Sequence, residues 1–142
     1  MILFMDSSAL VKLYVLEPET DAVLKAVRKA KGVAISSLAL PETTRALHRR
    51  AEENVITHAE SNAAFKQLLS DFEMFDSVPV DDFIGTRASL LTRSKGLKGA
   101  DAVHLASVAY LSHERRGVQF MTFDEQLENA AQGLVRVWQM PA

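Results

Sequence analysis

Cysteine is absent from the 142 residues. That excludes disulfides, thiolate zinc sites and cysteine nucleophiles, and it suits a reducing compartment, so the expected location is the cytoplasm. Long hydrophobic runs are missing too. The N-terminal run Met1-Ile2-Leu3-Phe4-Met5 is too short for a membrane span or a signal peptide and has no basic flank. No charge sign dominates: 16 Lys+Arg stand against 18 Asp+Glu, a net −2. A chain with that balance has no global attraction for a polyanion, so a nucleic-acid partner must be held by a local patch or through metal ions. Repeats, low-complexity stretches and Pro/Gly/Ser-rich linkers are also lacking, which predicts one domain over residues 1–142. What remains is 48% hydrophobic and 24% charged, the balance of an ordinary globule. A chain of this length buries on the order of 70% of its unfolded surface, enough for one core.

Short apolar runs alternate with longer helical patterns. Ile2–Met5, Val33–Ser36, Ser77–Val80, Gln119–Thr122 and Leu134–Trp138 read as five strands, with Pro79 placing the third at an edge. Helical patterns run over Ser8–Leu16, stopped before Pro18, and over Thr20–Lys31, ended by Gly32. Leu38–Glu53 follows, where Pro41 is tolerable in the first turn. Thr57-His58-Ala59-Glu60 is a capping-box signature opening a helix to about Glu73. Asp82–Ser94, Asp101–Arg116 and Asp124–Gln132 complete seven helices. The sixth is apolar nearly all round, the mark of a buried helix. Strands separated by helices imply parallel β-α-β units, an α/β sandwich with helices on both faces of the sheet.

In open parallel sheets functional groups gather beyond the carboxyl ends of the strands. Four carboxylates fall there. Asp6 follows the first strand, Glu42 lies about one turn into the helix after the second, Asp101 opens the buried helix, and Asp124 follows the fourth strand. Each has a structural reading. Asp6, Asp101 and Asp124 suit helix N-termini, and Glu42 suits a surface pair with Arg45. Together they argue differently, because two like charges about 5 Å apart cost about 3 kcal/mol at an effective dielectric near 20. Such a cluster persists when cations or protons offset it, and hard ions such as Mg²⁺ or Mn²⁺ prefer oxygen ligands.

Other groups carry less. His104, three residues after Asp101 on the same helix face, reads first as a core histidine and second as a catalytic base. Asp81-Asp82 read as N-cap residues. Arg87, Arg93, Lys95 and Lys98, leading up to Asp101, form a candidate basic rim, with Lys12 and Arg45 on helices that begin at the acidic side; the alternative is solvated helix surface. Walker loops, Gly-rich dinucleotide turns, His-rich zinc patterns and Gly-x-Ser-x-Gly elbows are all absent.

Four segments in order, Met5-Asp6-Ser7-Ser8 through Tyr14, Ser36-Ser37-Leu38-Ala39-Leu40-Pro41-Glu42, Lys98-Gly99-Ala100-Asp101-Ala102-Val103-His104, and Thr122-Phe123-Asp124, resemble the PIN-domain nucleases. The nearest likeness is to the VapC-like toxins of toxin–antitoxin pairs, over essentially the whole chain. The resemblance implies a single-domain three-layer sandwich with a five-stranded parallel sheet of order 3-2-1-4-5. It implies that Asp6, Glu42, Asp101 and Asp124 hold one or two Mg²⁺ or Mn²⁺ ions, and that Thr122 and Ser8 position a water or another carboxylate. It further implies an RNA substrate, a homodimer and a small antitoxin partner, with no membrane. Water activated by the metal is then the nucleophile, Asp6 and Asp101 are the primary ligands, and the basic rim contacts RNA phosphates. The rival readings are a housekeeping RNA-processing nuclease of the same fold, a Mg²⁺-binding phospho-acceptor receiver domain, and a non-catalytic binding module. The receiver would want an acid pair after the first strand and a Lys after the last, where this chain has Asp6-Ser7 and Gln139-Met140.

Overall fold

A computed structural model describes all 142 residues, Met1–Ala142. Strand β1 is Ile2–Met5, followed by the short helix α1, Ser7–Leu10, and a 3-10 turn, Val11–Leu13. Then come α2 (Thr20–Lys29), β2 (Gly32–Ser36), α3 (Ala39–Glu52), α4 (His58–Phe72), β3 (Asp76–Val78), α5 (Asp82–Lys95), α6 (Gly99–Glu114), β4 (Val118–Met121) and α7 (Glu125–Ala131). The first helical pattern is therefore much shorter than Ser8–Leu16, tightening into the 3-10 turn as helix ends commonly do. The capping box at Thr57 forms as expected, with the Thr57 hydroxyl accepting from Glu60 N–H and the Glu60 carboxylate from Thr57 N–H. Asp81 caps α5 through Ile84 N–H, and Gly96 ends that helix at a φ of 68°, a conformation that disfavours any side chain.

The sheet has four strands in the order β3-β2-β1-β4, and each neighbouring pair is parallel. The expected fifth strand, Leu134–Trp138, does not form. Its segment lies beside β4 through one isolated parallel bridge, Phe120 to Val137. Phe120 N–H donates to the Arg136 carbonyl and Trp138 N–H to the Phe120 carbonyl, both at 2.8 Å. An outermost segment pairs on one side only, and Leu134 and Met140, at 47% and 45% exposed, bury too little to extend the ladder. The edge assignment of β3 holds: Asp76 and Ser77 are exposed and Pro79 follows its last residue.

The pleat explains the three layers. Ile2 and Phe4 point to one face of the sheet and Leu3 and Met5 to the other. On the first face Phe4 and Phe120 pack against Ile84 and Ala88 of α5, Leu105 and Val108 of α6, and Leu127 of α7. On the second, Leu3, Ile35 and Met121 pack against Leu10, Val23 of α2, Leu47 of α3 and Leu68 of α4. Both faces of β1 are closed, so its four residues are all buried, the pattern of a central parallel strand. No helix is long and apolar enough to cross a membrane.

Candidate active site

Chain order reverses across the sheet between β1 and β4, where Met5 sits in register with Met121. That boundary is the topological switch point, where the loops diverge and leave a crevice beyond the strand ends. The next residues along, Asp6 and Thr122, face each other across it.

Asp6 is 3% exposed and held from three sides. Its Oδ1 accepts from the Ser8 hydroxyl at 2.7 Å and from Ala9 N–H at 3.0 Å, and its Oδ2 accepts from the Thr122 hydroxyl at 2.6 Å. The hydroxyls are braced in turn, with Ser8 Oγ accepting from Phe123 N–H at 2.9 Å and Thr122 Oγ1 from Asp124 N–H at 3.1 Å. Both hydroxyl protons therefore point at Asp6, and a lattice of local bonds ties the end of β1 to the end of β4. A carboxylate has about four lone-pair positions. Three are filled, and one is left for a cation or a water. Burial pushes the Asp6 carboxyl above its ordinary range, although nearby His104 and the Thr122, Ser8 and Ala9 hydrogen bonds pull the other way.

Asp101, in the first turn of α6, is half-buried. Burial raises its pKa first, then the charges of Asp124 and Asp6, with a smaller push from Glu42 and an opposing pull from His104. No hydrogen bond contributes. This carboxylate therefore feels all three other acids and has no donor to settle on. Asp124 caps α7 by accepting from Leu127 N–H at 2.9 Å, so its structural role is real and coexists with its place in the group. Glu42 lies on α3. Burial alone would raise its carboxyl, yet it is held below the usual range by a hydrogen bond from His104, by that ring's charge and by the Ser7 hydroxyl.

The acids are thus neighbours in field, but no group of three or more His, Asp or Glu side chains is arranged to hold a metal ion. The donor chemistry still fits a hard cation: all-oxygen ligands, a spare position on Asp6, and on Asp101 a carboxylate whose ionised form is disfavoured by burial and by its acidic neighbours, with no hydrogen-bond donor to offset them.

The candidate rim divides. Arg93, Lys95 and Lys98 are exposed on the end of α5 and the entry to α6, shortly before Asp101 in the chain. Arg87 lies about 12 Å further back along α5 and rests on the Phe83 ring, 5.2 Å from its centre. Lys12 does not belong to a rim at all. It is buried, bonded to Glu17 at 3.4 Å and Glu19 at 3.1 Å, and sits 4.9 Å over the Phe123 ring. Arg45 is exposed on α3.

His104 is a buried histidine, as the first of its two sequence readings expects, and it also meets an acid of the site. It is 1% exposed, as a core histidine would be. Its Nε2 meets Glu42 Oε1 at 2.5 Å, so it serves the acid group directly. Only the i, i+3 spacing to Asp101 hinted at this, and nothing in the sequence pairs α6 with Glu42 of α3.

A surface cavity of about 660 Å³ lies elsewhere, between Ser112–Val118 and Gly133–Arg136. It contains none of the four acids. An extended polymer needs an open groove at its cleavage point rather than a closed pocket, so cavity size does not locate this site.

The PIN domain model matches residues 3–133, all four acids included. The chain belongs to the PIN-domain family. Ribonuclease VapC46 of Mycobacterium tuberculosis is 31% identical over 135 residues, which cover 93% of this chain and 92% of that protein. Among solved structures, Mycobacterium tuberculosis VapC20, described as a sarcin-ricin loop cleaving toxin, matches with a TM-score of 0.69 at 21% identity, covering 95% of this chain and 98% of that one. A toxin–antitoxin complex from Klebsiella pneumoniae matches with a TM-score of 0.60 at 18% identity, covering 87% and 88% of the two chains. At those identities the two structures speak to fold alone. The PIN domain here therefore has its sheet order in common with the expectation, less the outermost strand.

Proposed function

We propose that this PIN domain is a metal-dependent endoribonuclease, the toxin of a toxin–antitoxin pair. The observation that carries the reading is Asp6, buried at the switch point with three donors fixing it and one position spare. Asp6 and Asp101 would be the primary ligands of Mg²⁺ or Mn²⁺, with Glu42 and Asp124 completing the set directly or through water. A bound divalent ion would supply Lewis acidity, acidifying a coordinated water and neutralising charge on the phosphoryl oxygens.

The chain's own contribution is placement. The Ser8 and Thr122 hydroxyls spend their protons on Asp6, so they hold that carboxylate and do not act as nucleophiles. A carboxylate of the set that is not bound to the ion, Glu42 or Asp124, would orient an attacking water as general base. The water oxygen would bond to phosphorus as that carboxylate takes its proton, the P–O ester bond would break, and the departing ribose oxygen would receive the same proton. Arg93, Lys95 and Lys98 bind backbone phosphates, which gives affinity without base choice. RNA as substrate is supported by the name and 31% identity of the VapC46 relative. An antitoxin partner and a homodimer are what the family resemblance implies, the toxin–antitoxin complex from Klebsiella pneumoniae being one neighbour in fold, and the absence of cysteine suits a cytoplasmic location.

The test is cleavage of end-labelled RNA by the purified protein. Mg²⁺ or Mn²⁺ should support it and EDTA should stop it, and Asp6→Asn should be inactive; activity that persists in EDTA overturns the reading. Growth arrest on expression, relieved by a co-expressed neighbouring gene, separates a toxin from a housekeeping nuclease. Replacing Arg93, Lys95 and Lys98 with Ala should weaken RNA binding uniformly across sequences. It should also flatten the slope of log affinity against log salt by about 2, at about 0.7 per phosphate contact on a single strand. An unchanged slope would remove the rim from the interface.

A further inference from the structure

Glu42 is the acid with the longest side chain and the most torsions to fix, and α3 does not fix it by packing: its side chain is 29% exposed. Besides the Ser7 hydroxyl, what fixes it comes from the opposite layer of the sandwich. His104, on the buried helix α6, brings Nε2 to Glu42 Oε1. A carboxylate oxygen only accepts, so Nε2 carries the proton in this contact whatever the state of the rest of the ring. The other nitrogen, Nδ1, is buried with no hydrogen-bond partner. The ring therefore has one polar attachment, and it is Glu42.

Three further features make this more than a core contact. His104 is one turn from Asp101 on the same helix face, so a single rigid helix carries one acid and the tether of another. His104 is 1% exposed, and its α6 neighbours Ala102, Leu105, Ser107 and Val108 are buried too, so the ring sits in the packed interior and not in solvent. Asp6, from the far side of the switch point, also falls within the field of His104. One side chain thus touches or faces three of the four acids.

We propose that His104 is a positioning residue of the acid site: its Nε2–H holds Glu42 Oε1 and leaves Oε2 as the oxygen available to a divalent cation. The proposal rests on the metal-site reading above. It makes Glu42 a ligand of restricted denticity, one oxygen committed to the protein and one to the ion. Outer partners that orient metal ligands in this way are commonly worth 10–100-fold in metal affinity.

The test is a titration with Mn²⁺ alone, following the free ion by electron paramagnetic resonance at one fixed pH, with no RNA present. His104→Leu keeps an apolar side chain in the pocket but removes the donor, and should weaken Mn²⁺ binding on the order of 10–100-fold. His104→Gln retains an N–H that can reach Glu42, and should recover much of the loss. Glu42→Ala combined with His104→Leu should bind no more weakly than Glu42→Ala alone, because the tether then has nothing to hold. In the cleavage assay the Leu variant should lower kcat and leave the KM for RNA unchanged. Thermal melts show which variants fold, and Gln carries the comparison if Leu does not. Wild-type affinity in His104→Leu, or additive losses in the double variant, overturns the tether. Failure of the wild-type protein to bind Mn²⁺ overturns the metal reading itself.

Discussion

Asp101→Asn should abolish RNA cleavage and, in the metal-free protein, raise the melting temperature. The two effects have one cause. Asp101 is pushed up by burial and by Asp124, Asp6 and Glu42, and no donor compensates it. Removing one like charge from such a cluster is worth about 0.5–2 kcal/mol, depending on separation and the local dielectric, or several degrees in a domain of this size. Removing a metal ligand takes away several kcal/mol of transition-state stabilisation, on the order of 10³-fold in rate. Stability traded for function in this way is common at active sites.

The pH dependence follows from the signs. The folded-state pKa of Asp101 lies above its ordinary value of 3.8, so in the window above that value the folded chain keeps a proton that the unfolded chain has lost. Stability contributed there falls as pH rises. Asp6, also raised, has the same sign. Glu42, lowered, has the opposite sign: its contribution is present above its ordinary value of 4.5 and is lost as pH falls through the lower folded value. The advantage of Asp101→Asn over wild type, measured by thermal melts in EDTA, should therefore grow from about pH 4 to neutrality and shrink in acid. An advantage that does not change with pH, or a variant less stable than wild type, would contradict the repulsion.

Phe4→Ala should be the most destabilising of the simple core truncations. Phe4 and Phe120 are both fully buried, with ring centres 5.9 Å apart and planes 65° to each other. They join β1 to β4 two residues before Asp6 and Thr122, so the same pair that fills the first core also fixes the spacing of the switch point. Truncating a buried Phe to Ala costs about 3–5 kcal/mol, a large part of the roughly 5–15 kcal/mol that holds a domain folded. Urea denaturation should show that loss and a melting temperature lower by on the order of 15 °C. A loss under about 1 kcal/mol would mean the neighbouring Leu105 and Ile84 collapse into the space.

Hydrophobic periodicity locates four strands and seven helices, though α1 is shorter than its pattern and β3 has only Val78 buried; the central strands are short apolar runs and most helices have a cap or breaker nearby. It overcalled Leu134–Trp138, where alternation is present but a single neighbour and solvent exposure leave no ladder to complete. The acids were legible because strand ends and helix starts are marked in the sequence: Asp6 follows β1, Asp101 opens α6 and Asp124 caps α7. Their partners were less so. Lys12 looked like rim charge until Glu17, Glu19 and Phe123 enclosed it, and His104 looked like core until α3 brought Glu42 to it. The Glu42 contact depends on which helices pack across the sheet, and the Phe123 contact on the end of β4 lying beside Lys12, long-range facts that local spacing does not encode.

The chemistry of the cut ends tests the central claim most directly. RNA is cleaved in ¹⁸O-enriched water with Mn²⁺, and the new termini are weighed by mass spectrometry. Attack by water at the acid site predicts a terminal phosphate monoester carrying one ¹⁸O, absent from the EDTA control. A 2′,3′-cyclic phosphate, the product of attack by the RNA's own hydroxyl, would contradict it.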